Sequence, residues 1–368
     1  MTIPLSDDAL FMRRSLELAM KGAGSVSPNP LVGSVIVYNG GIVGEGYHQR
    51  FGGQHAEVLA IASVADQEML RQATLYVTLE PCAHFGKTAP CSDLIIEKGI
   101  PRVVIGCRDP HIKVAGKGIA RLQAAGILVT EGVLEAESKK CNEAFIKSHT
   151  TGLPFVTIKL AQTLDGKIAT SIGASCWITG EEARSEVHRL RSIYDAVLVG
   201  EATVRADDAH LTVRHCPGRN PLRVVLDGRL VLSLDAKIFD HEAPTILFAS
   251  TLSESLPKVE LLRQKGVTVL FVHEHSGKLD LRQMLAELHK RQVLSVLVEG
   301  GSRLSASFVH AGLVDKIAIF VSPKLFGGDA LSAFAPLGVS MPDQAVQMLF
   351  EPPRFFGRDL LLEAYLEV

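Results

Sequence analysis

The chain is poor in the features that mark several protein classes. Aromatic residues make up 6% of its 368 positions, and there is a single tryptophan. A surface that stacks successive bases of a single strand needs more than that. Neither sign of charge is in excess: 38 Lys and Arg stand against 40 Asp and Glu, a formal net charge of -2. This argues against a nucleic-acid partner or an anionic membrane surface, while leaving room for a local basic pocket around one phosphate. No apolar run of about 18 residues occurs, so no membrane span is expected. Repeats, low-complexity tracts and coiled-coil heptads are missing too. Cysteines number 6 and are scattered. The N-terminus, MTIPLSDDALFMRRSLELAM, lacks the basic-then-apolar order of a signal peptide. The reducing cytoplasm is therefore the expected setting, where a close cysteine pair points to metal or catalysis before a disulfide.

What is present is ordinary globular composition, 47% hydrophobic and 21% charged, at a length sufficient for two domains. The N-terminus reads as a helix capped by Ser6, with Asp7 and Asp8 in its first turn and Leu10, Phe11, Leu16 and Leu18 on its apolar stripe. Strand-like and helix-like runs then alternate: LVGSVIVYN, HAEVLAIASVA, ATLYVTLE, SDLIIEKG, RVVIGCRDP, GIARLQAAG and ILVTEGV. Such alternation predicts an α/β sheet covered by helices. The polar stretch ESKKCNEAFIKSHTTGLP ends in Gly152 and Pro154 and marks a boundary near residue 150. Beyond it the alternation restarts. FVTIKLAQTL, DAVLVG, LRVVLD, PTILFAS, VTVLFV, VLSVLVEGG and DKIAIFVSP read as strands, and EEARSEVHRLRSIY, LDLRQMLAELHKRQ and GSRLSASFVHAG as helices. The expected domains are 1–150 and 151–368.

The densest chemistry lies in GQHAEVLAIA and, one strand later, EPCAHFGKTAPC. His55 and Glu57 form an H-x-E pair at a helix start. Cys82 and Cys91 follow, each beside a proline and separated by Ala83 to Pro90. The cysteines could form a disulfide, be inert core residues or bind metal. Zinc takes nitrogen and sulfur ligands, and a catalytic zinc keeps three of them and a water. His55, Cys82 and Cys91 make such a set. Glu57 is then free to move protons, as in zinc deaminases. Zinc lowers the pKa of a bound water towards neutrality. His84 is an alternative fourth ligand that would close the site and make it structural. The turn residues Gly86 and Pro90 let the loop fold back.

SPNPLVGSVIV, GYHQRFGGQHAEVLAI, YVTLEPCAHFGKTAPC and DPHIKVAGKGIARLQAAGI together resemble the deaminase half of the RibD family of bifunctional riboflavin-biosynthesis proteins. The long spacing between Cys82 and Cys91 is the form found in that family. The resemblance implies a cytidine-deaminase-like three-layer domain acting on a pyrimidinone ribotide. Asn29, in the matched P-N-P segment, could bind the base or simply form a turn.

A second cue is VLSVLVEGGSRLSASFVHAG, a strand running through Glu299, Gly300 and Gly301 into a helix at Ser302. Glycines let a ligand approach the backbone, and a helix start offers free N–H groups to an anion. The turn is not a G-x-G-x-x-G fingerprint, and many ordinary turns contain glycine. Lys159 lies on an otherwise apolar strand, an expensive place for a lysine unless it is paired. It is expected to reach a substrate pocket beside Glu299, with Asp165 just downstream.

FVTIKLAQTLDGKIAT and SCWITGEEARSEVHRLRSIYDAVLVGEATVRADDAHLTVR resemble the reductase half of the same family. The resemblance implies a dihydrofolate-reductase-like, doubly wound α/β domain that uses NADPH. It places the cofactor on Ala161, Trp177, Thr203 and Asp207, and on Gly301, Ser302, Arg303, Leu304, Ser305, Ala306 and Ser307. It places substrate on Ser175, Arg191, Leu211, Arg214 and Glu299. Arg191 and Arg214 are forked donors suited to a 5-phosphate, although a helix-face arginine can simply be solvated. Trp177 offers a flat face to a nicotinamide, or core packing.

The resemblance implies two successive reactions. One is zinc-dependent deamination of 2,5-diamino-6-ribosylamino-4(3H)-pyrimidinone 5′-phosphate. The other is NADPH-dependent reduction of the ribosyl group to ribityl. The expected partner is this small ribotide, with no nucleic acid and no membrane, in a homo-oligomer (dimer or tetramer). Two other readings compete. A nucleic-acid-editing deaminase would need the basic surface that the charge does not supply. A zinc-stabilised nucleotide sensor would have no use for Glu57.

Overall fold

The structure, a computed structural model, describes residues 7–83, 89–110 and 115–367. Ser6, His84 and Gly86 lie outside the described residues. The chain divides into two compact units, Met1–Gly152 and Leu153–Val368.

In the first unit the elements run α1 (Asp7–Met20), β1 (Gly33–Tyr38), β2 (Gly41–Tyr47), α2 (Ala56–Ser63), β3 (Thr74–Leu79), α3 (Cys91–Glu97), β4 (Arg102–Cys107), α4 (Lys117–Ala124), β5 (Leu128–Glu131), α5 (Glu135–Cys141) and α6 (Glu143–Thr151). Among the described residues they build one five-stranded sheet, β2-β1-β3-β4-β5. Here β1 runs antiparallel to β2 and β3, while β3, β4 and β5 are parallel. Alternate strand residues feed two cores, as the two-residue period of a strand requires. Ile36, Leu75, Val77, Val103 and Ile105 pack with residues of α2, α3 and α4 on one face. Val35, Tyr76 and Val104 pack with Met12 and Leu18 of α1 on the other. The result is the expected three-layer α/β unit.

Two sequence expectations need correction. The glycine-rich segment after β1 is a strand, β2, in a hairpin with β1. Its glycines are required by helix packing: a Cβ on Gly46 would lie 2.4 Å from both Ala56 O and Ala60 N of α2. In α1 the buried positions are Ala9, Met12, Ser15, Leu18 and Ala19, and Leu10 is exposed. The smaller residues win because α1 lies directly on β1, where a Cβ on Gly33 would fall 1.9 Å from Ser15 O. Asp8 does more than favour the first turn. It takes Arg102 at 2.9 and 2.7 Å and the Tyr76 hydroxyl at 2.8 Å.

The second unit contains β6 (Phe155–Thr163), β7 (Lys167–Ala169), α7 (Glu181–Ile193), β8 (Ala196–Gly200), α8 (Glu201–Asp207), β9 (Leu222–Leu226), β10 (Thr245–Ser250), α9 (Lys258–Gln264), β11 (Thr268–Val272), β12 (Glu274–His275), β13 (Lys278–Leu279), α10 (Leu281–Lys290), β14 (Ser295–Val298), α11 (Ser302–His310), β15 (Lys316–Ser322), β16 (Leu331–Ser332), β17 (Met348–Phe350), β18 (Arg354–Phe356) and β19 (Asp359–Leu366). Among the described residues the main sheet has ten strands in the order β11-β10-β9-β8-β14-β6-β15-β19-β17, with β18 also on β19. The run β11 to β15 is parallel, and β17, β18 and β19 add antiparallel strands at one side. The two faces again separate cleanly. Val197 and Val199 pack with α7 and α9 residues, whereas Ala196 and Leu198 pack with Met284, Leu285 and Leu288 of α10 and Phe308 of α11. Helices on both faces of a parallel sheet match the doubly wound expectation. No helix among the described residues is long and apolar enough to cross a membrane.

Candidate active sites

The first site forms where β3 ends. His55 caps α2, Glu57 lies in that helix's first turn, Cys82 follows β3 and Cys91 opens α3. His55 Nδ1 lies 3.2 Å from Cys91 Sγ and 3.6 Å from Cys82 Sγ. The Cys91 backbone N–H donates to Cys82 Sγ at 3.3 Å. The three donor atoms all lie within 4.8 Å of one another. A tetrahedral zinc with bonds of about 2.1 Å to nitrogen and about 2.3 Å to sulfur sets those atoms about 3.6 Å apart. The donor set therefore fits zinc in both chemistry and spacing, with one coordination position left for water.

The electrostatics agree. The Cys91 thiol beside Cys82 holds Cys82 well below the usual thiol range, while Cys91 is pushed up by Cys82 and by burial. His55 is raised chiefly by Cys82. Burial pushes the Glu57 carboxyl up, with His55 opposing. A carboxyl that holds a proton more readily beside a metal-binding triangle suits proton transfer.

Asn29 comes close to this site through His48, a residue that no sequence motif singles out. Asn29 Nδ2 lies 3.0 Å from His48 Nε2, and His48 Nδ1 lies 2.9 Å from the Gln54 carbonyl. A proton on Nδ1, donated to that carbonyl, leaves Nε2 to accept from Asn29. Burial lowers the His48 pKa, which favours this neutral form. The His48 ring stands edge-on to His55 at 5.8 Å. The one signal in the sequence is a histidine at the end of a strand, a few residues before the H-x-E pair.

The second site gathers at the carboxyl ends of β8 and β14 and along β6. Register sets it: Val298 pairs with Ile158, so Glu299 falls beside Lys159 on the adjacent strand. Lys159 Nζ lies 3.2 Å from Glu299 Oε2. Arg191 grips the same carboxylate through Nε at 2.6 Å and Nη2 at 3.0 Å, and donates from Nη1 to Thr212 O at 3.2 Å. Burial alone would raise Glu299, but Arg191 and Lys159 outweigh it and hold the carboxyl at about 2. Arg191 is thus not the solvated helix-face arginine that its sequence position allows. Its fork is taken by Glu299, whereas Arg214 is exposed. Leu211, buried and at φ +56°, holds a rare backbone conformation for leucine next to the carbonyl that receives Arg191.

Ser175 Oγ donates to Asp207 Oδ1 at 3.4 Å, and desolvation raises Asp207 against the pull of Ser175 and Lys159. Asp165 does not face this cluster. Its carboxylate accepts the Phe326 and Gly327 N–H groups and the Thr163 hydroxyl. Trp177 is 68% exposed, so it is not a core residue. Arg184 stacks 4.7 Å from its ring centre, and Lys324 Nζ donates to the Trp177 and Ile178 carbonyls at 2.8 and 2.7 Å. Gly301 caps α11, with Thr203 Oγ1 3.9 Å from where its Cβ would stand. Ser302, Ser305 and Ala306 are buried, Leu304 packs against one core, and Arg303 is exposed. Ala161 packs against the other core. Within the Gly301 to Ser307 stretch, Arg303 is exposed and Gly301, Leu304 and Ser307 are half-buried.

His210, Asp240 and Glu242 also bring donor atoms within 4.8 Å. There Asp240 already takes the fully buried Arg223 at 2.7 Å, and Arg214 lies 3.3 Å from His210. This group is a balanced ion cluster.

Comparison with known proteins finds a deaminase-like first part and a reductase-family second part. Residues 5–107 match the cytidine and deoxycytidylate deaminase zinc-binding region, and residues 154–354 match the RibD C-terminal domain. The chain is 43% identical to riboflavin biosynthesis protein RibD of Actinobacillus pleuropneumoniae over 357 residues, covering 97% of this chain and 94% of that one. Two solved structures cover 98% of this chain and are themselves covered to 99%. One is a diaminohydroxyphosphoribosylaminopyrimidine deaminase/5-amino-6-(5-phosphoribosylamino)uracil reductase from Thermotoga maritima (42% identity, TM-score 0.86), the other Acinetobacter baumannii RibD (37%, 0.88). The chain belongs to the RibD family of riboflavin biosynthesis proteins, bifunctional enzymes that join a zinc-binding deaminase half to a reductase half.

Proposed function

We propose that the first unit removes the exocyclic amine of 2,5-diamino-6-ribosylamino-4(3H)-pyrimidinone 5′-phosphate. The second unit then reduces the ribosyl group of the resulting 5-amino-6-(5-phosphoribosylamino)uracil. The observation that carries the deaminase reading is the His55, Cys82 and Cys91 triangle with Glu57 buried beside it. Zinc held there supplies an acidified water. Glu57 takes a proton from the attacking water and returns it to the departing amine, so that water and amine become carbonyl and ammonia. Asn29, oriented by His48, donates to the pyrimidine ring.

In the second unit NADPH supplies the hydride. Gly301 and the start of α11 would meet its phosphates, and Trp177 would cover its nicotinamide. Thr203 and Asp207 border the same face. Lys159, held by Glu299, and Ser175, held by Asp207, line the substrate pocket. Arg191 keeps Glu299 ionised, and Arg214 binds the phosphate. Hydride would pass to C1′ as the bond from C1′ to the ring oxygen breaks, and that oxygen would take a proton from water, opening the sugar to ribityl. The family resemblance supports a cytoplasmic homo-oligomer, dimer or tetramer.

The test is to give purified protein the diamino ribotide while following ammonia and NADPH absorbance together. Ammonia is expected without NADPH, and oxidation once NADPH is added. Ammonia with no NADPH consumption would contradict the reductase assignment.

A further inference from the structure

Two carboxylates are buried among the described residues of the first unit, Glu57 and Glu80, at 3% and 4% exposure. Glu57 belongs to the zinc centre. Glu80 makes none of the contacts described for that centre, yet it stands two residues from the ligand Cys82. Each of its oxygens receives two backbone N–H groups. Oε2 accepts from Gly116 at 2.9 Å and Asp109 at 3.3 Å, and Oε1 accepts from Gly118 at 2.9 Å and Ile119 at 3.3 Å.

Three of these donors belong to the cap and first turn of α4, and the fourth follows the end of β4. The first N–H groups of a helix have no partner within it and carry partial positive charge. Gly116, the residue at the cap position, has no side chain to satisfy them. Glu80 does so from the end of another strand, and joins β3, β4 and α4 at one carboxylate.

The contact between α4 and the Cys82 peptide is tight. A Cβ on Gly118 would lie 1.9 Å from the Pro81 carbonyl oxygen and 3.2 Å from Glu80 Oε1. That carbonyl belongs to the peptide bond that delivers Cys82. On its other side Cys82 is fixed by α3, whose Ser92 N–H donates to the Cys82 carbonyl at 3.1 Å and whose Cys91 N–H donates to Cys82 Sγ. The Cys82 backbone is thus set between the starts of two helices.

We infer that Glu80 is a positioning residue for the zinc ligand Cys82. By capping α4 it holds that helix's first turn against the Pro81–Cys82 peptide, and so fixes the Cys82 sulfur relative to His55 and Cys91.

The test uses the full chain loaded with zinc and, separately, with cobalt. Glu80→Gln keeps the shape but turns an NH₂ group towards N–H donors. Zinc transfer to a colorimetric chelator should quicken about tenfold, the lower end of the range for groups that orient metal ligands. The thiolate-to-cobalt absorption bands should shift or weaken. Reduction of the deaminated ribotide by the second unit should not change. A lowered melting temperature with wild-type zinc release and a wild-type cobalt spectrum would make Glu80 a helix cap only, and overturn the inference. Gly118→Ala presses on the same peptide from the α4 side and leaves Glu80 intact. It should quicken zinc release in the same way. Should Glu80→Gln fail to fold, Gly118→Ala decides: unchanged zinc release and cobalt spectrum there would overturn the inference.

Discussion

The two sites treat buried charge in opposite ways. In the first unit, two thiols, an imidazole and a buried carboxyl face one another, and among the described residues no lysine or arginine is paired with them. In the second, the buried Glu299 carboxylate is matched by Arg191 and Lys159 within 3.2 Å. The first set is electron-rich and is completed by a cation. The second pairs its buried carboxylate with cations of its own chain. Metal should therefore matter to the order of the first unit and be irrelevant to the second.

The largest way to break this comparison is at Glu57. Glu57→Gln should retain zinc and lower ammonia release about 10³-fold, as expected for loss of a general acid–base group, with reduction of the deaminated ribotide unaffected. Metal analysis and the two assays on one preparation check it. Next comes Arg191→Met, which leaves Glu299 buried without its bidentate partner. The second unit should lose about 3 kcal/mol in urea unfolding, the low end for breaking a buried ion pair. Lys159→Met should be milder for the fold but slow ribose reduction about 10²-fold through misplacement of substrate, while ammonia release continues at the wild-type rate. Unchanged reduction would remove Lys159 from the pocket.

The smallest effect is a pH dependence. His188 is buried, and burial, Arg191, His215 and Arg214 together push its pKa down to about 4. The folded state then binds fewer protons than the unfolded chain, whose histidine titrates near about 6.5. The contribution of His188 to the stability of the second unit is therefore full above about 6.5 and declines as pH falls towards 4. His188→Gln should flatten that part of the curve in chemical unfolding.

The sites differ as much in how they can be read. His55, Glu57, Cys82 and Cys91 stand out in the sequence because metal chemistry restricts residue type, and because they sit at the starts of two helices and just after the single strand between them. The alternation of strands and helices is equally plain, since short runs of valine, isoleucine and leucine bounded by turn residues suit the buried strands of a parallel sheet. The second site is spread over residues 159 to 307 and is assembled by strand register, which no local pattern encodes. Arg191 shows the limit: helical spacing places it on a face, but only the fold shows that this face meets Glu299. Strand β2 is hard to read because its glycines answer to α2 and not to strand propensity. Glu80 is hidden because its partners are backbone groups 29 to 39 residues away. The short strands β17 and β18 carry exposed apolar residues, among them Leu349, Phe350 and Phe355, and lack the buried pattern of the central strands.

The most direct measurement is to strip zinc from the intact chain with a chelator and assay both reactions, supplying the deaminated ribotide for the second. The account predicts that ammonia release disappears and returns with added zinc, while NADPH oxidation proceeds at the untreated rate throughout. Loss of NADPH oxidation along with the metal would contradict it, because the second site would then depend on the first for its order.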